Sequence, residues 1–565
     1  MNAVSDVLDR AAADLAAGRL RESFDRVRSE LTSRPNDPRA LAMLGQVAVF
    51  ADQPAVGLGP LQRAVALDPQ PEYRIWLSLC LAKLDCREDA VREVTTAIET
   101  MRPTANAHFA IGMVFFALDQ YQDAADAYTR CIELQPTRAA AHHRLARALH
   151  AIGCTETAIE AYREAVRQSS TNADYLADLS SALSDLGRFE EGRVAAAAAV
   201  ERDPNCTVGL HNLGHALHNL NRGAEALAPY EKAIAIRGSY AKAQFGYALA
   251  LLKSGEFASG WQHYEWRWRD CQTFRSGLGV PAWQGEDAQG QTLLLHAEQG
   301  LGDTLQFVRF APLAAARGAR VVLEVPASLV RLTRRIAGVA EVIACGDQLP
   351  RIDLHCPMAS LPLAFNLRLE TIPAAPYLRR DGRNSVNPVR PVDEDKLVVG
   401  LVWAGDPRQS ERGSNLIDRR RSTQLEMFAP MMAIGGIRFV SFQHGQAREQ
   451  IAASRLSIVD AMDGVADFAD TAERLAGVDL LVSVDTSIVH LAGGLGMPVW
   501  MLSRFDGCWR WLERRDDTPW YPSMRIFRQS SLGDWSGVVA QVADALRHVV
   551  HGLPGSRKLL AKAPA

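Results

Sequence analysis

The residues best suited to chemistry by type and spacing lie in 479–502, DLLVSVDTSIVHLAGGLGMPVWML. Leu480–Val484 is a short apolar, β-branched run, which predicts a strand buried on both faces. It stops at Asp485, Thr486 and Ser487, residue types that suit a helix N-terminus. Residues 488–495 then read as a helix, Gly496 stands at its C′ position, and Pro498 opens the next strand. Strand, tight turn, short helix, strand is a unit that aims free N–H groups and hydroxyls past the carboxyl end of a parallel sheet. An anion, typically a phosphate, can sit there. His490, one turn in, could donate to that anion or simply pack the helix.

A second group is EQGLGDTLQF, with Gly300, Gly302 and Asp303. It is not a full G-x-G-x-x-G, and the chain has no Walker A motif. Asp303 falls at the carboxyl end of a strand and the start of a helix. It can cap that helix. As a cleft carboxylate it could be a general base, a role worth roughly 10²–10⁴ in rate. Spacing alone favours the cap. Trp509, Trp511, Trp520 and Tyr521 could stack on a base or sugar, or form a local core. His211 and His215 stand at i, i+4, but a metal site needs a third ligand and supporting groups. No Asp-x-Asp or His/Cys cluster stands out, so no metal is expected.

These residues need an alternating α/β scaffold. Residues 291–297 (QTLLLHA) predict a strand, followed by a glycine-rich turn and a helix. Arg320–Val325 predicts a second strand, 326–336 a helix, and short strands follow near 341–344 and 352–356. This is one Rossmann-like lobe, 291–380. A Pro- and Arg-rich link covers about 373–394. The second lobe, 395–551, starts with a buried strand at 396–404 (KLVVGLVWA). Helix 423–434, strands 438–443 and 457–460, and helix 468–476 lead to the 479–502 unit, and a helix at about 534–551 closes it.

The first half repeats. Prolines at 35, 69, 103, 136 and 204 are spaced by 34, 34, 33 and 68 residues, with Ser170 at the missing rung and Gly238 one period on. Equivalent small and large positions recur: Gly112, Ala124, Tyr128 and Cys131; Ala158, Tyr162 and Ala165; Gly214, Ala226, Tyr230 and Ala233. This resembles the tetratricopeptide repeat, with about eight units in 4–270 starting near 4, 38, 71, 105, 139, 173, 207 and 241. By that resemblance the groove carries His143, Arg147 and His150, then His211, His215 and His218, as a polar, partly titratable wall for a peptide or protein. Phe109, Met113 and Phe116 give an apolar patch for partner docking or for burying a loop. The junction is placed at 271–290, with Trp266 and Trp268 packing the repeats onto the second half in a fixed linkage.

Composition bounds the rest. The 565 residues imply two to four domains. A net charge of −3 gives no reason to expect nucleic acid as the main partner. Nine scattered cysteines with no C-x-x-C pair read as reduced core thiols of a cytoplasmic protein. The opening MNAVSDVLDRAAADLAAG does not read as a secretory signal, and no membrane-spanning helix is expected.

GLGDTLQFVRF (300–310), VGLVWAGDP (399–407), DRRRS (418–422), VDTSIVHLAGGLGMPVW (484–500) and WRWLERRDDTPWYPSMRIFRQ (509–529) together resemble the bacterial tetratricopeptide-repeat glycosyltransferases. Their catalytic half is similar to the family nine heptosyltransferases. The resemblance implies an α-solenoid of repeats followed by an α/β, two-Rossmann-lobe (GT-B type) glycosyltransferase. Carried over, Asp303 is the base. The donor-binding set is Gly300, Gly302, Trp403, Arg421, Gln443, Asp485, Thr486, Ser487 and His490. Ser487 replaces the family's glycine, and 408–417 (RQSERGSNLI) is a longer link than relatives have before Arg419, Arg420 and Arg421. The expected activity is inverting, metal-independent transfer from a nucleotide sugar, with no other cofactor, to a protein acceptor of flagellin type held by the repeats. Transfer to lipopolysaccharide, or a non-catalytic repeat scaffold, are the alternatives.

Overall fold

The computed structural model describes residues 2–270, 278–382, 389, 396–409 and 411–552. Residues 271–277 of the expected junction, and 383–388 and 390–395 of the expected inter-lobe link, lie outside the described residues. The chain divides into two compact units, Met1–Gly209 and Leu210–Ala565.

The first unit is a run of antiparallel helix pairs. First helices start at Pro38, Pro71, Ala105, Ala139 and Ala173, after an opening pair Asn2–Ala16 and Leu20–Ser33. Local chemistry sets these starts. Asp37, Thr104 and Asn172 cap their helices through the N–H groups of Ala40, Ala107 and Tyr175. The small and large positions interlock as their types require. Ala124, Tyr128 and Cys131, and Ala158, Tyr162 and Ala165, are buried. A Cβ on Gly112 would lie 2.5 Å from the Tyr128 ring, so only glycine lets the two helices meet there.

The second unit opens within the helix Thr207–Asn219, carries the last repeat helices Gly223–Ile236, Ala241–Ser254 and Phe257–Tyr264, and continues into two parallel sheets. The first sheet has the order β3-β2-β1-β4, from β1 (Thr292–His296), β2 (Arg320–Val325), β3 (Val339–Ala344) and β4 (Leu354–Pro357). The second has the order β10-β9-β8-β5-β6-β7, from β5 (Leu397–Val402), β6 (Ile437–Ser441), β7 (Val459–Asp460), β8 (Leu480–Val484), β9 (Val499–Ser503) and β10 (Met524–Arg528). The chain leaves β5 in one direction for β6 and β7 and returns on its other side for β8. The carboxyl ends of β5 and β8 therefore flank a crevice, the usual ligand position in such sheets.

One apolar core runs through this unit. Leu252, Phe257, Trp261 and Tyr264 of the repeat helices pack with Leu293, Leu295 and Phe307 of the first lobe and with Ile488, Trp509 and Trp520 of the second. This is why the compact units divide at 209/210, whereas the secondary structure changes near 271–290. The tryptophans expected to dock the repeats are not the ones that do so. Trp261 is fully buried, whereas Trp266 and Trp268 stay half-buried with Arg269 and Arg267 over their rings. Arg267 adds a polar clamp, donating to Glu298 at 2.9 Å and to Ser360 at 2.6 Å. The clamp fixes the start of the Gly300–Asp303 loop.

Two elements differ from the sequence reading. The link at 408–417 is largely the start of a helix, Arg412–Arg421, and β10 was not anticipated. The eight described cysteines are free, but Cys86, Cys154 and Cys345 are exposed and so are not core thiols. Among the described residues, no helix is long and apolar enough to cross a membrane.

Candidate functional site

A cavity of about 880 Å³ opens at the carboxyl ends of the second sheet and is closed on one side by the first lobe. Gly300, Gly302 and Asp303 line it from the first lobe, Asp485, Thr486 and Ser487 from the turn after β8, and Arg504 and Arg510 from the loop after β9. Its size suits a small organic ligand.

Asp303 fills the cap role and also lines the cavity. Gly300 is the N-cap of the helix Leu301–Phe307, and its N–H donates to Asp303 Oδ2 at 3.0 Å. Asp303 Oδ1 accepts from Arg510 Nη2. One oxygen thus caps, and the other faces a guanidinium across the cleft. Burial opposes the Arg510 charge, but Asp303, Cys508 and Tyr264 outweigh it and hold the group above its ordinary value.

The phosphate-ready turn forms as its residue types predict. Thr486 is the N-cap of Ser487–Gly494, with no side-chain cap bond, and Gly496 takes φ +75° just past the end. The Thr486 hydroxyl lies 3.4 Å from that of Ser483. Asp485 Oδ2 accepts from Trp511 Nε1 at 2.9 Å, and its carbonyl accepts from Arg421 Nη1 at 3.3 Å. The carboxylate so engaged positions Trp511, and the backbone carbonyl positions Arg421; placed directly on a phosphate the carboxylate would repel it. Gly302 lets the two lobes touch here. A Cβ on it would lie 2.9 Å from the His490 ring and 3.6 Å from Ser487 Cα.

His490 is buried, stacks on Trp511 at 5.4 Å, and meets the Tyr521 hydroxyl through Nδ1 at 2.8 Å. Burial first, then Arg510 and Arg309, hold it well below the ordinary histidine value, so it is a neutral imidazole. Arg309 lies over the Tyr521 ring at 4.6 Å and donates to the Tyr377 hydroxyl at 3.2 Å. His490 thus packs its helix at the cavity wall and brings no positive charge.

The arginine run resolves into three fates. Arg421 lines the cavity and pairs with Asp418 at 2.8 Å, Arg420 pairs with Asp506 at 3.0 Å, and Arg419 is exposed. Gly405 makes room for the first pair, since a Cβ there would overlap Asp418 Oδ1. Sequence reasoning missed Arg408, Arg504 and Arg510. All three line the cavity, and Arg408 Nη2 comes within 3.0 Å of a Cβ placed on Gly300. Arg504 directly follows the last residue of β9, the strand-end position that would have flagged it.

Trp403 is a correction. It does not reach the cavity but lies fully buried in the core on the other face of the sheet, with Val399, Leu401 and Trp535. Strand alternation explains this: Val402 and Ala404 face the cavity, and the residue between them cannot. Gln443 reaches the cavity wall, but its amide is fully used. Oε1 accepts from the Trp403 and Ala404 N–H groups at 3.0 Å, and Nε2 donates to the Ala404 and His444 carbonyls at 2.9 Å. It fixes the ends of β5 and β6. Trp509, Trp511, Trp520 and Tyr521 are the local core, all under 5% exposed.

In the first unit, a cavity of about 410 Å³ is lined by Phe109, Met113, His143, Arg147, Tyr175 and Asp178 among others. His143 stacks on Tyr175 at 4.4 Å and bonds Asp178 at 2.8 Å, and His150 bonds Asp185 at 2.9 Å. These histidines tie one repeat to the next while walling the groove. On the helix Thr207–Asn219, burial pushes His211 down to about 4 and His218 well below its ordinary value, so these two do not titrate near neutrality as expected. His211 and His215 stack at 6.2 Å. Among the described residues, no three His, Cys, Asp or Glu side chains gather to hold a metal.

Comparison with known proteins defines the class of the helical region. A tetratricopeptide-repeat family profile matches residues 109–173 and 178–241, so the N-terminal region carries tetratricopeptide repeats. Among individual proteins, the chain is 28% identical over 357 residues to protein FlbA of Caulobacter vibrioides, covering 57% of this chain and 58% of FlbA. It thus spans less than two thirds of that relative. Yeast Tom70 superposes with a TM-score of 0.35 at 16% identity, over 49% of this chain and 61% of Tom70. A thermophilic repeat protein of Thermus thermophilus superposes with a TM-score of 0.29 at 21% identity, over 32% of this chain and 99% of that one.

Proposed function

We propose that the second unit is an inverting glycosyltransferase of the two-Rossmann-lobe, GT-B type, acting on a protein acceptor that the repeats hold. The observation that carries this reading is the meeting of Asp303 with the start of the Ser487 helix across one cavity, at the Gly302 contact. A base and an anion-ready helix end, each fixed by its own hydrogen bonds, are what single-displacement glycosyl transfer needs. The acceptor hydroxyl oxygen attacks the anomeric carbon. The bond from that carbon to the phosphate oxygen breaks, and its electron pair leaves with the nucleotide. The hydroxyl proton passes to Asp303.

The leaving phosphate gains negative charge. The helix end offsets ~0.3–1 kcal/mol of it, rising to ~2 when partly buried. Arg421, Arg504 and Arg510 supply charge-assisted hydrogen bonds of greater strength. Guanidinium groups here take the part that a divalent ion plays in other transferases. No cofactor beyond the nucleotide sugar enters the step. The proposed setting is the cytoplasm, in keeping with the free thiols, and the proposed acceptor is of flagellin type, as the family resemblance implies.

The test is the intact mass of candidate acceptor proteins coexpressed with the wild type and with Asp303→Asn. The wild type is expected to add the mass of a sugar, and the variant to lower the rate by ~10²–10⁴. An undiminished mass gain with Asp303→Asn would remove Asp303 as base. No gain on any protein would favour a lipid-linked acceptor or a scaffold.

A further inference from the structure

We propose that Arg510 gates the base: with no donor bound it holds Asp303, and a bound phosphate draws it away, so Asp303 becomes competent only after the donor has entered. This inference rests on the glycosyl-transfer reading above.

Four contacts carry it. Both Asp303 oxygens are occupied, one by the Gly300 N–H and one by Arg510. Each oxygen keeps a second lone pair, but at Oδ1 an acceptor hydroxyl has to share the oxygen with the Arg510 guanidinium until that bond breaks, and the Gly300 bond belongs to the helix cap. Arg510 itself is bound unevenly. Nε donates to Gln306 Oε1 at 2.5 Å, whereas Nη1 donates only to Cys508 Sγ at 3.0 Å. A thiol sulfur is a weak acceptor. Arg510 and Cys508 both line the cavity, so a phosphate oxygen can take the sulfur's place and bind far more strongly.

The surroundings permit a side-chain swing and little else. The guanidinium lies 4.4 Å over the Trp509 ring, a flat surface on which it can turn without losing contact. Trp509 and Trp511 on either side are buried, which fixes the backbone. Arg504, on the same loop, pairs its Nε with Asp506 at 3.4 Å, and its buried Nη1, with no hydrogen-bond partner, offers a further donor to an incoming anion. Once Arg510 has turned, Asp303 Oδ1 is free to take the hydroxyl proton as the acceptor oxygen bonds to the anomeric carbon and the phosphate leaves with its electron pair. Donor therefore binds before acceptor chemistry, and water is not activated in the empty cleft.

Pyrophosphate binding to the full chain, by titration calorimetry at fixed ionic strength, tests this through a double-mutant cycle. Arg510→Gln is expected to weaken binding ~10-fold or more, as loss of a charge-assisted hydrogen bond does. Asp303→Asn is expected to tighten it several-fold, because Arg510 no longer has to leave a carboxylate. In the double variant that gain should vanish. If Asp303→Asn tightens binding equally with and without Arg510, Asp303 acts only as a repelling charge and the gate is overturned. No effect of Arg510→Gln overturns it too. Both outcomes leave the phosphate site and the transferase reading standing. Wild type that binds no pyrophosphate removes the site, and the transferase reading with it. Thermal melts check each variant, and Arg510→Lys, with and without Asp303→Asn, repeats the cycle if the glutamine variant does not fold.

Discussion

At the scale of single residues, the cleft combines groups whose ordinary chemistry has been redirected by neighbours. His490 is the clearest case. Sequence alone left it between donor ligand and packing residue, and burial between Trp511, Tyr521 and Gly302 makes it a neutral wall. That has a pH consequence. A histidine whose folded value is depressed stabilises the fold fully above its unfolded value of 6.5, and this contribution is lost as pH falls through the folded value. Denaturant melts of the wild type should therefore lose stability as pH is lowered below 6.5. His490→Gln, which keeps a donor and cannot titrate, should remove that part of the slope while leaving stability above 6.5 nearly unchanged. Equal acid slopes in the two proteins would mean that the fold does not depress His490.

At the scale of elements, helix pairs and strand ends do the positioning. In the repeats, closeness depends on glycines facing tyrosines. Gly112→Ala would push a methyl to 2.5 Å from the Tyr128 ring, and overpacking of this kind costs about 1–3 kcal/mol. The expected result is a lower unfolding midpoint for the first unit, with pyrophosphate binding unaltered; a neutral effect would mean that the helix pair can spread. Such positions were legible in the sequence because every repeat buries the same ones, and the punctuation around Asp303 and Ser487 was legible because turns demand particular residues. The helix Arg412–Arg421 was not. RGSNLIDRRR has no apolar face to give a period, and ion pairs such as Arg420 to Asp506 and Arg421 to Asp418 hold it. The strand β10 is only five residues long and follows a Pro- and aromatic-rich loop, so no alternation announces it. Arg510 was illegible for a third reason: its partner Asp303 stands 207 positions away in the chain.

At the scale of the molecule, the repeat region does not end where its helices give way to strands. The helix Ala241–Ser254 brings Lys253, almost fully buried, to Asn221 at 2.9 Å, and Asn221 in turn donates to the Phe505 carbonyl at 2.8 Å. Trp261 meets Trp509 edge to face at 5.2 Å, and Phe257 stacks on Trp520 at 6.0 Å. Residues 504–511, which carry Arg504 and Arg510, are thus supported from below by the last repeats. Two truncations should behave differently for this reason. Removing residues 1–204 leaves the Thr207–Asn219 helix and the shared core whole, so a folded protein that binds pyrophosphate is expected. Removing residues 1–270 strips Phe257, Trp261 and Tyr264 from that core, each worth about 1.5–3 kcal/mol or more of burial, and bares the tryptophans beneath them. That variant is expected to aggregate or to melt well below the first, with pyrophosphate binding lost as the arginine loop loosens. Both are also expected to lose transfer to protein, because each lacks the groove of the first unit. A stable, phosphate-binding protein beginning at residue 271 would show that the last repeats only sit beside the site, and transfer that survives the shorter truncation would remove the first unit's groove as the place where the acceptor is held.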